Sequence, residues 1–217
     1  MNMTMDQSLL EKKPFRFIVV GSGWRSLFYW RIACAYPELF TMETMLCRTD
    51  EKAGAMRRQY GVPAITSEAA CEAMKPDFVV IAVNKASIFS ETKRWAKKGY
   101  PVLCETPAAL KLEDLKELWR MKTEEGAKIQ VAEQYYLYPS FAAAMEVVRR
   151  GYLGDVTMMN LSAVHEYHGA SVIRRMLGTG LPNMAIYGQE YPYTLVEQDS
   201  RDRADTDGRR EETTRGG

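Results

Sequence analysis

Short apolar runs that do not alternate with polar residues are the feature that most limits how this chain can fold. Phe15 to Val20 is the first, bounded by Pro14 and Gly21, and Phe78 to Val83 is the strongest, flanked by Pro76-Asp77 and Asn84. Phe40 to Cys47, Pro101 to Cys104 and Lys128 to Ala132 read as further strands of the same kind. A strand that is apolar on both sides is buried on both faces, which a parallel sheet covered by helices provides. The intervals between the runs carry helical spacing. One helix starts at Trp24 and stops before Pro37, with Leu27, Trp30, Ile32, Ala33 and Tyr36 as its expected core face. Others are expected over Asp50 to Tyr60, Ser67 to Met74, Ser87 to Lys98 and Glu113 to Glu125, each closed by nearby glycine or proline. The expected fold class is therefore α/β, a doubly wound parallel sheet whose ligands bind where the strands end.

After Pro139 the pattern changes. A helix over Ser140 to Arg150 leads through Gly151 and Gly154 into an alternating stretch, Val156 to Tyr167, which predicts antiparallel pairing. A helix over Ala170 to Leu177 and strands over Asn183 to Tyr187 and Tyr191 to Val196 complete the expected start of an α+β second domain. From Gln198 to Gly217 the only apolar residue is Ala204, too little burial to offset the ordering entropy, so a disordered tail is predicted. The expected divisions are 1–137, 138–197 and 198–217.

Composition excludes several functions. Twenty-nine basic against 28 acidic side chains give a net charge of +1, so no bulk field draws in nucleic acid or an anionic membrane. The first fifteen residues lack a basic patch followed by a long apolar run, and no stretch approaches the roughly 20 apolar residues of a spanning helix. A cytoplasmic location is the expectation. Cys34, Cys47, Cys71 and Cys104 form no CxxC pair and stand beside only two histidines, which argues for reduced, mostly buried thiols and against a metal site.

The chemistry begins at Val20-Gly21-Ser22-Gly23-Trp24-Arg25-Ser26, between the first strand and the first helix. Gly21 permits a tight turn, Gly23 lets the backbone approach a pyrophosphate, and the helix N-terminus offers unpaired N–H groups; Ser26 stands where the fingerprint has its third glycine. The expected reading is the turn of a Rossmann-type dinucleotide site, holding NAD or NADP; a merely tight turn, or a site for another nucleotide such as a flavin or a nucleotide-sugar, are the alternatives. The second strand ends in Cys47-Arg48-Thr49 without the acid that would hold the ribose hydroxyls of NAD. Arg48 can pair with a 2′-phosphate and Thr49 can donate a hydroxyl, which favours NADP; Asp50 is the ribose acid if the strand ends later.

Together with that turn, Val80-Ile81-Ala82-Val83-Asn84, Cys104-Glu105-Thr106-Pro107-Ala108-Ala109-Leu110 and Val131 to Pro139 make the chain resemble the glucose-fructose oxidoreductase and inositol dehydrogenase (Gfo/Idh/MocA) family over roughly Phe15 to Gly178. The resemblance implies an NAD(P)-dependent oxidoreductase acting on a sugar, polyol or related small molecule, with Val83, Asn84 and Glu105 near the cofactor. It also implies that Glu105 and Thr106 occupy the catalytic Glu-Lys-Pro position, where threonine cannot relay a proton as a desolvated lysine does. Lys85 is the local substitute. The family's Asp-x-x-x-His pattern, counted back from Gly178, puts His168 at the histidine and Val164 at the aspartate, with His165 and Glu166 nearby. Glu133, Gln134, Tyr135 and Tyr138 fall where the resemblance puts the substrate pocket wall. On the alternating reading of its neighbourhood, His168 instead sits on an exposed sheet edge. Members usually add several more strands, so a truncated second domain and self-association through Val156 to Val196 are expected. With two usual catalytic groups replaced, the alternative is a protein that binds the dinucleotide without turning it over, as a sensor or subunit.

Overall fold

The structure is a computed structural model, and it describes residues 14–164, 166–180, 185, 187–189, 193–196 and 212–215. The chain divides into two compact units, Met1–Leu177 and Gly178–Gly217.

The first unit holds six strands: β1 (Phe15–Val20), β2 (Phe40–Leu46), β3 (Ala64–Ile65), β4 (Phe78–Ile81), β5 (Val102–Cys104) and β6 (Ile129–Val131). Every pair is parallel and the order is β3-β2-β1-β4-β5-β6. The doubly wound sheet expected from the apolar runs is thus present. Helices α1 (Trp24–Ala35), α2 (Asp50–Tyr60), α3 (Glu68–Ala73), α4 (Ile88–Lys97) and α5 (Leu112–Thr123) connect the strands. The strand order reverses between β1 and β4, and such a reversal opens a crevice at the carboxyl ends.

Both faces of β1 are buried, which is why its sequence does not alternate. Phe17 and Val19 pack into one core with Leu27, Ala33 and Met56, whereas Ile18 and Val20 pack into the other with Ile88, Trp95 and Met121. Each such side chain contributes about 1.5–3 kcal/mol on burial.

The structure corrects several expectations. On α1, Leu27 and Ala33 are buried, but Ile32 and Tyr36 are exposed, in line with Trp24 and Phe28. Residues four apart share one helical side, and only the side holding Ser26, Leu27 and Ala33 meets the sheet. The strand β3 was not legible in sequence, because two edge residues form no apolar run.

Beyond β6 come a 3₁₀ turn (Tyr135–Leu137), α6 (Pro139–Arg149) and α7 (Glu166–Leu177). These lie within the first unit, which runs past the boundary expected at 137. Val156 to Tyr167 does not form the expected antiparallel strand: residues 156–164 are irregular, and α7 begins at Glu166 rather than Ala170. The alternation there found no partner strand among the described residues. Helical spacing won instead, since His168, Val172 and Met176 at i, i+4 and i+8 are all buried.

In the second unit, β7 (Tyr193–Val196) pairs antiparallel with β8 (Glu212–Arg215), Tyr193 opposite Arg215. β8 falls inside the tail predicted to be disordered. Ladder hydrogen bonds use the backbone, and the β-branched Thr213 and Thr214 suit a strand without being apolar. Residues 197–211, like most of the strand expected over Asn183 to Tyr187, lie outside the described residues.

Candidate functional site

The turn after β1 is shaped by one close approach. Gly21 has φ +111°, and a Cβ there would stand 2.2 Å from the carbonyl oxygen of Ala82. Its N–H donates to Leu46 O at 3.0 Å, tying the turn to β2. Gly23 is the N-cap of α1, and a Cβ built on it meets nothing within 4 Å. No side chain caps α1 and its first turn has no acidic residue, whereas Thr49 caps α2 and Ser67 caps α3 through their side chains. An uncapped helix start with open space before it is an anion site, because its N–H groups and dipole both favour negative charge. Ser26 is fully buried, and its hydroxyl donates to Ala82 O at 3.3 Å. The third glycine of the fingerprint serves close helix–strand packing, and here serine keeps that packing and adds a hydrogen bond.

These residues wall a cavity of about 770 Å³. Gly21, Ser22, Gly23, Trp24 and Arg25 line it from the turn, Arg48, Thr49 and Lys52 from the end of β2 and the start of α2, and Val83 and Asn84 from the end of β4. All nine residues expected around a dinucleotide on sequence grounds, other than Glu105, are thereby brought together. The volume lies in the range of small-molecule and cofactor sites. Another cavity, of about 530 Å³, is lined by Phe78, Pro101 and Lys128. It sits at the amino ends of the strands, away from the crevice.

Where β2 leads into α2 the hydrogen bonding discriminates among candidates. Thr49 Oγ1 accepts the N–H of Lys52 at 3.2 Å as a helix cap. Asp50 is engaged by Thr66, whose hydroxyl donates to its Oδ1 at 2.6 Å. Arg48 is exposed on the cavity wall. Burial pushes the Cys47 thiol above its ordinary range, against the opposing effect of a hydrogen bond with Ser22.

Glu105, at the end of β5, is 7% exposed and accepts two hydrogen bonds on Oε1, from Arg25 Nε at 2.6 Å and from the hydroxyl of Tyr29 at 2.6 Å. Burial first, and the adjacent Glu105 carboxylate second, hold the Tyr29 phenol far above its ordinary pKa. The Thr106–Pro107 peptide is cis and Thr106 is half-buried. Neither Glu105 nor Thr106 lines the cavity. Lys85 is exposed on the turn after β4 and is not part of the cavity wall, so the local substitute for the family lysine is not brought to the crevice.

A second cluster forms where the 3₁₀ turn meets α7. His168 is 6% exposed, on a helix and not on the exposed sheet edge of the alternating reading. Its Nδ1 is hydrogen-bonded to Glu133 Oε2, and Glu133 Oε1 accepts the backbone N–H of Tyr135 at 3.1 Å. The rings of Tyr135 and Tyr167 lie 4.5 and 4.4 Å from the imidazole. Tyr138 packs 5.1 Å from Tyr135 and lies near Arg25, whose burial disfavours its charge and whose hydrogen bond to Glu105 outweighs that. The amide oxygen of Gln134 is buried without a hydrogen-bond partner. Gln134, Tyr135, Tyr138 and His168 therefore do assemble, and Tyr138 links them toward the Arg25–Glu105 pair.

Sequence reasoning missed Tyr29, and it placed Glu133 on the substrate pocket wall without its pairing to His168. Tyr29 had a signal, since it follows Arg25 by four residues and so shares its helical side. The pairing of Glu133 had none, because its partner lies 35 residues away. Among the described residues, no group of three His, Cys, Asp or Glu could hold a metal ion, and no helix is long and apolar enough to cross a membrane.

Comparison with known proteins agrees with this architecture. The Gfo/Idh/MocA family profile, described as an oxidoreductase family with an NAD-binding Rossmann fold, matches residues 15–133. A protein of Bacillus subtilis (strain 168) named YteT and described as an oxidoreductase is 26% identical over 118 residues, which is 52% of this chain and 28% of YteT. The scyllo-inositol dehydrogenase of Lactobacillus casei, solved with NAD(H) and scyllo-inositol, superposes with a TM-score of 0.65 at 16% identity, over 76% of this chain and 57% of that one. The WlbA dehydrogenase of Bordetella pertussis, solved with NADH and UDP-GlcNAcA, gives a TM-score of 0.58 at 20% identity, over 66% and 44%. At these identities the solved structures speak for the fold. The chain covers less than two thirds of the length of each of these relatives. With its profile matched over more than half of the residues and its strands in the order 3-2-1-4-5-6, the chain belongs to the Gfo/Idh/MocA oxidoreductase family with its NAD-binding Rossmann fold.

Proposed function

We propose that the protein is an NAD(P)-dependent oxidoreductase moving a hydride between the nicotinamide ring and a carbinol or carbonyl carbon of a sugar, polyol or related small molecule. The observation that carries this reading is the uncapped N-terminus of α1 opening, through Gly23, into the cavity over the strand switch point. The turn from Gly21 to Arg25 holds the pyrophosphate, with backbone N–H groups from Ser22 onward, since that of Gly21 is bonded to Leu46 O, and Val83 and Asn84 flank the nicotinamide half. The cofactor supplies the hydride acceptor or donor; the chain supplies binding, orientation and proton handling.

NADP is the preferred form. Arg48 stands exposed on the cavity wall with Lys52; the acid next in sequence, Asp50, is engaged by Thr66, and the acids of the wall, Glu68 and Glu91, are paired with Arg94. Substrate binds beside Gln134, Tyr135 and Tyr138. The buried amide oxygen of Gln134 calls for a donor, and a substrate hydroxyl is one. His168 is the acid–base group, Glu105 orients the crevice through Arg25, and Thr106, half-buried off the cavity wall, stands at the position of the family lysine. Lys85 has little support, being exposed outside the cavity wall. Self-association through residues 156–196 is supported by the exposed side chain of Met158 and tested by light scattering.

A second reading, cofactor binding without turnover, is favoured by one specific residue, Thr106 at the position where the family carries lysine. Two experiments separate the readings. Fluorescence titration with NADH and NADPH is expected to give saturable binding, tighter for NADPH. Hydride transfer is then followed across a panel of sugars and polyols: turnover on any member supports the oxidoreductase, binding with no turnover supports the second reading, and no association at millimolar dinucleotide removes both.

A further inference from the structure

We infer that Glu133 is the positioning residue of His168, a carboxylate from the end of β6 that fixes the imidazole in the tautomer carrying its proton on Nδ1 and its lone pair on Nε2. The inference rests on the reading of His168 as the acid–base group. In alcohol oxidation the proton of the substrate hydroxyl passes to Nε2, while the hydride leaving the same carbon is taken up by the oxidised dinucleotide and the carbonyl forms between carbon and oxygen.

Three observations support the assignment. An ionised carboxylate is an acceptor only, so the contact between Glu133 Oε2 and Nδ1 requires the ring to donate from Nδ1. The carboxylate is itself held: its other oxygen accepts the Tyr135 N–H at 3.1 Å, and the side chains of Glu133 and His168 are only 15% and 8% exposed. The ring plane is held as well, with Tyr135 and Tyr167 at 4.5 and 4.4 Å. A carboxylate–imidazole unit fixed in position, orientation and tautomer is what a general base needs beyond a suitable place in sequence.

The chain also explains why the carboxylate comes from elsewhere. Position 164, four residues before His168, is valine with φ +57°, a backbone a β-branched residue adopts only under strain. Valine offers no carboxylate to the ring from there. Glu133 precedes Gln134, so one loop delivers both the carboxylate behind the imidazole and the buried amide oxygen that lacks a partner. Neither glutamate nor histidine is marked for this pairing by local spacing.

The test is nitrogen NMR of the full chain labelled with ¹⁵N. Only two histidines are present, so a His165→Asn variant assigns the spectrum. The expected result is a neutral His168 ring protonated at Nδ1 in the parent protein and in Glu133→Asp, and a mixture of tautomers in Glu133→Gln. A ring protonated at Nε2 in the parent overturns the inference. On a substrate found in the panel above, Glu133→Gln is expected to lower kcat by at least about tenfold with the dinucleotide affinity unchanged, and Glu133→Asp to recover part of the loss. An unchanged kcat in Glu133→Gln overturns the inference too. The spectrum needs no substrate, so failure of the oxidoreductase reading and failure of the Glu133 assignment are told apart.

Discussion

Arg25 donates from Nε to Glu105 Oε1 at 2.6 Å, which ties the first turn of α1 to the end of β5 across the crevice. The glycine turn and the Glu105-Thr106-Pro107 segment, 80 residues apart in sequence, are thereby one structural unit. Tyr29 shares the same carboxylate oxygen. Replacing Arg25 by alanine leaves a nearly buried carboxylate with Tyr29 as its remaining side-chain donor, and the expected loss is on the order of 2 kcal/mol in urea unfolding. A change below a few tenths of a kcal/mol would mean that water already screens the pair.

Gly21→Ala tests the turn itself. The new Cβ would stand 2.2 Å from backbone Ala82 O at a φ that L side chains rarely adopt, so strain and overpacking add. A loss of at least about 3 kcal/mol is expected, with dinucleotide binding abolished at the same time. Gly23→Ala, which meets nothing within 4 Å, is expected to fold normally and to lose affinity only for the ligand. Equal effects of the two substitutions on melting temperature would contradict this division.

Arg48→Ala addresses cofactor choice. If the guanidinium pairs with a 2′-phosphate, NADPH affinity falls by about tenfold or more, roughly 1.4 kcal/mol, while NADH affinity barely moves. Parallel loss for both nucleotides in a fluorescence titration would assign Arg48 a part in the shared portion of the ligand.

Thiol chemistry follows burial. Cys34 is exposed while Cys47, Cys71 and Cys104 are buried, so one fast-reacting thiol is expected with an aromatic disulfide reagent before unfolding. Burial pushes Cys71 and Cys104 up to about 11 each. A group whose folded pKa is raised contributes stability that is present below its unfolded value, near 9, and is lost as pH rises through the folded value. Melting temperature is therefore expected to fall between about pH 9 and pH 11. Cys104→Ala should flatten that decline; an identical slope in the variant would show that other groups cause it.

How much was legible follows from which contacts are local. The bounds of β1 and α2 were readable to the residue, because an apolar run or a capped, periodic helix carries its own signal. The glycine turn was readable for the same reason. By contrast, the alternation of Val156 to Tyr167 pointed to a strand, although a strand forms only where a neighbour offers its backbone edge. His168 was singled out by its distance from Gly178, and the alternating reading of its neighbourhood put it on a sheet edge where the structure has a helix. Lys85 looked suitable by proximity in sequence, yet the turn after β4 leaves it exposed.

By itself the sequence determined the parallel α/β sheet and the tight glycine turn between its first strand and first helix, since these depend on apolar spacing, proline and glycine within a few residues. Only the tertiary structure decided that Arg25 and Tyr29 meet Glu105, that Ser26 packs against Ala82, and that the carboxylate meeting His168 is that of Glu133. Those pairings join residues 35 to 80 positions apart, and such meetings are settled by how elements pack, which no local pattern of residues encodes.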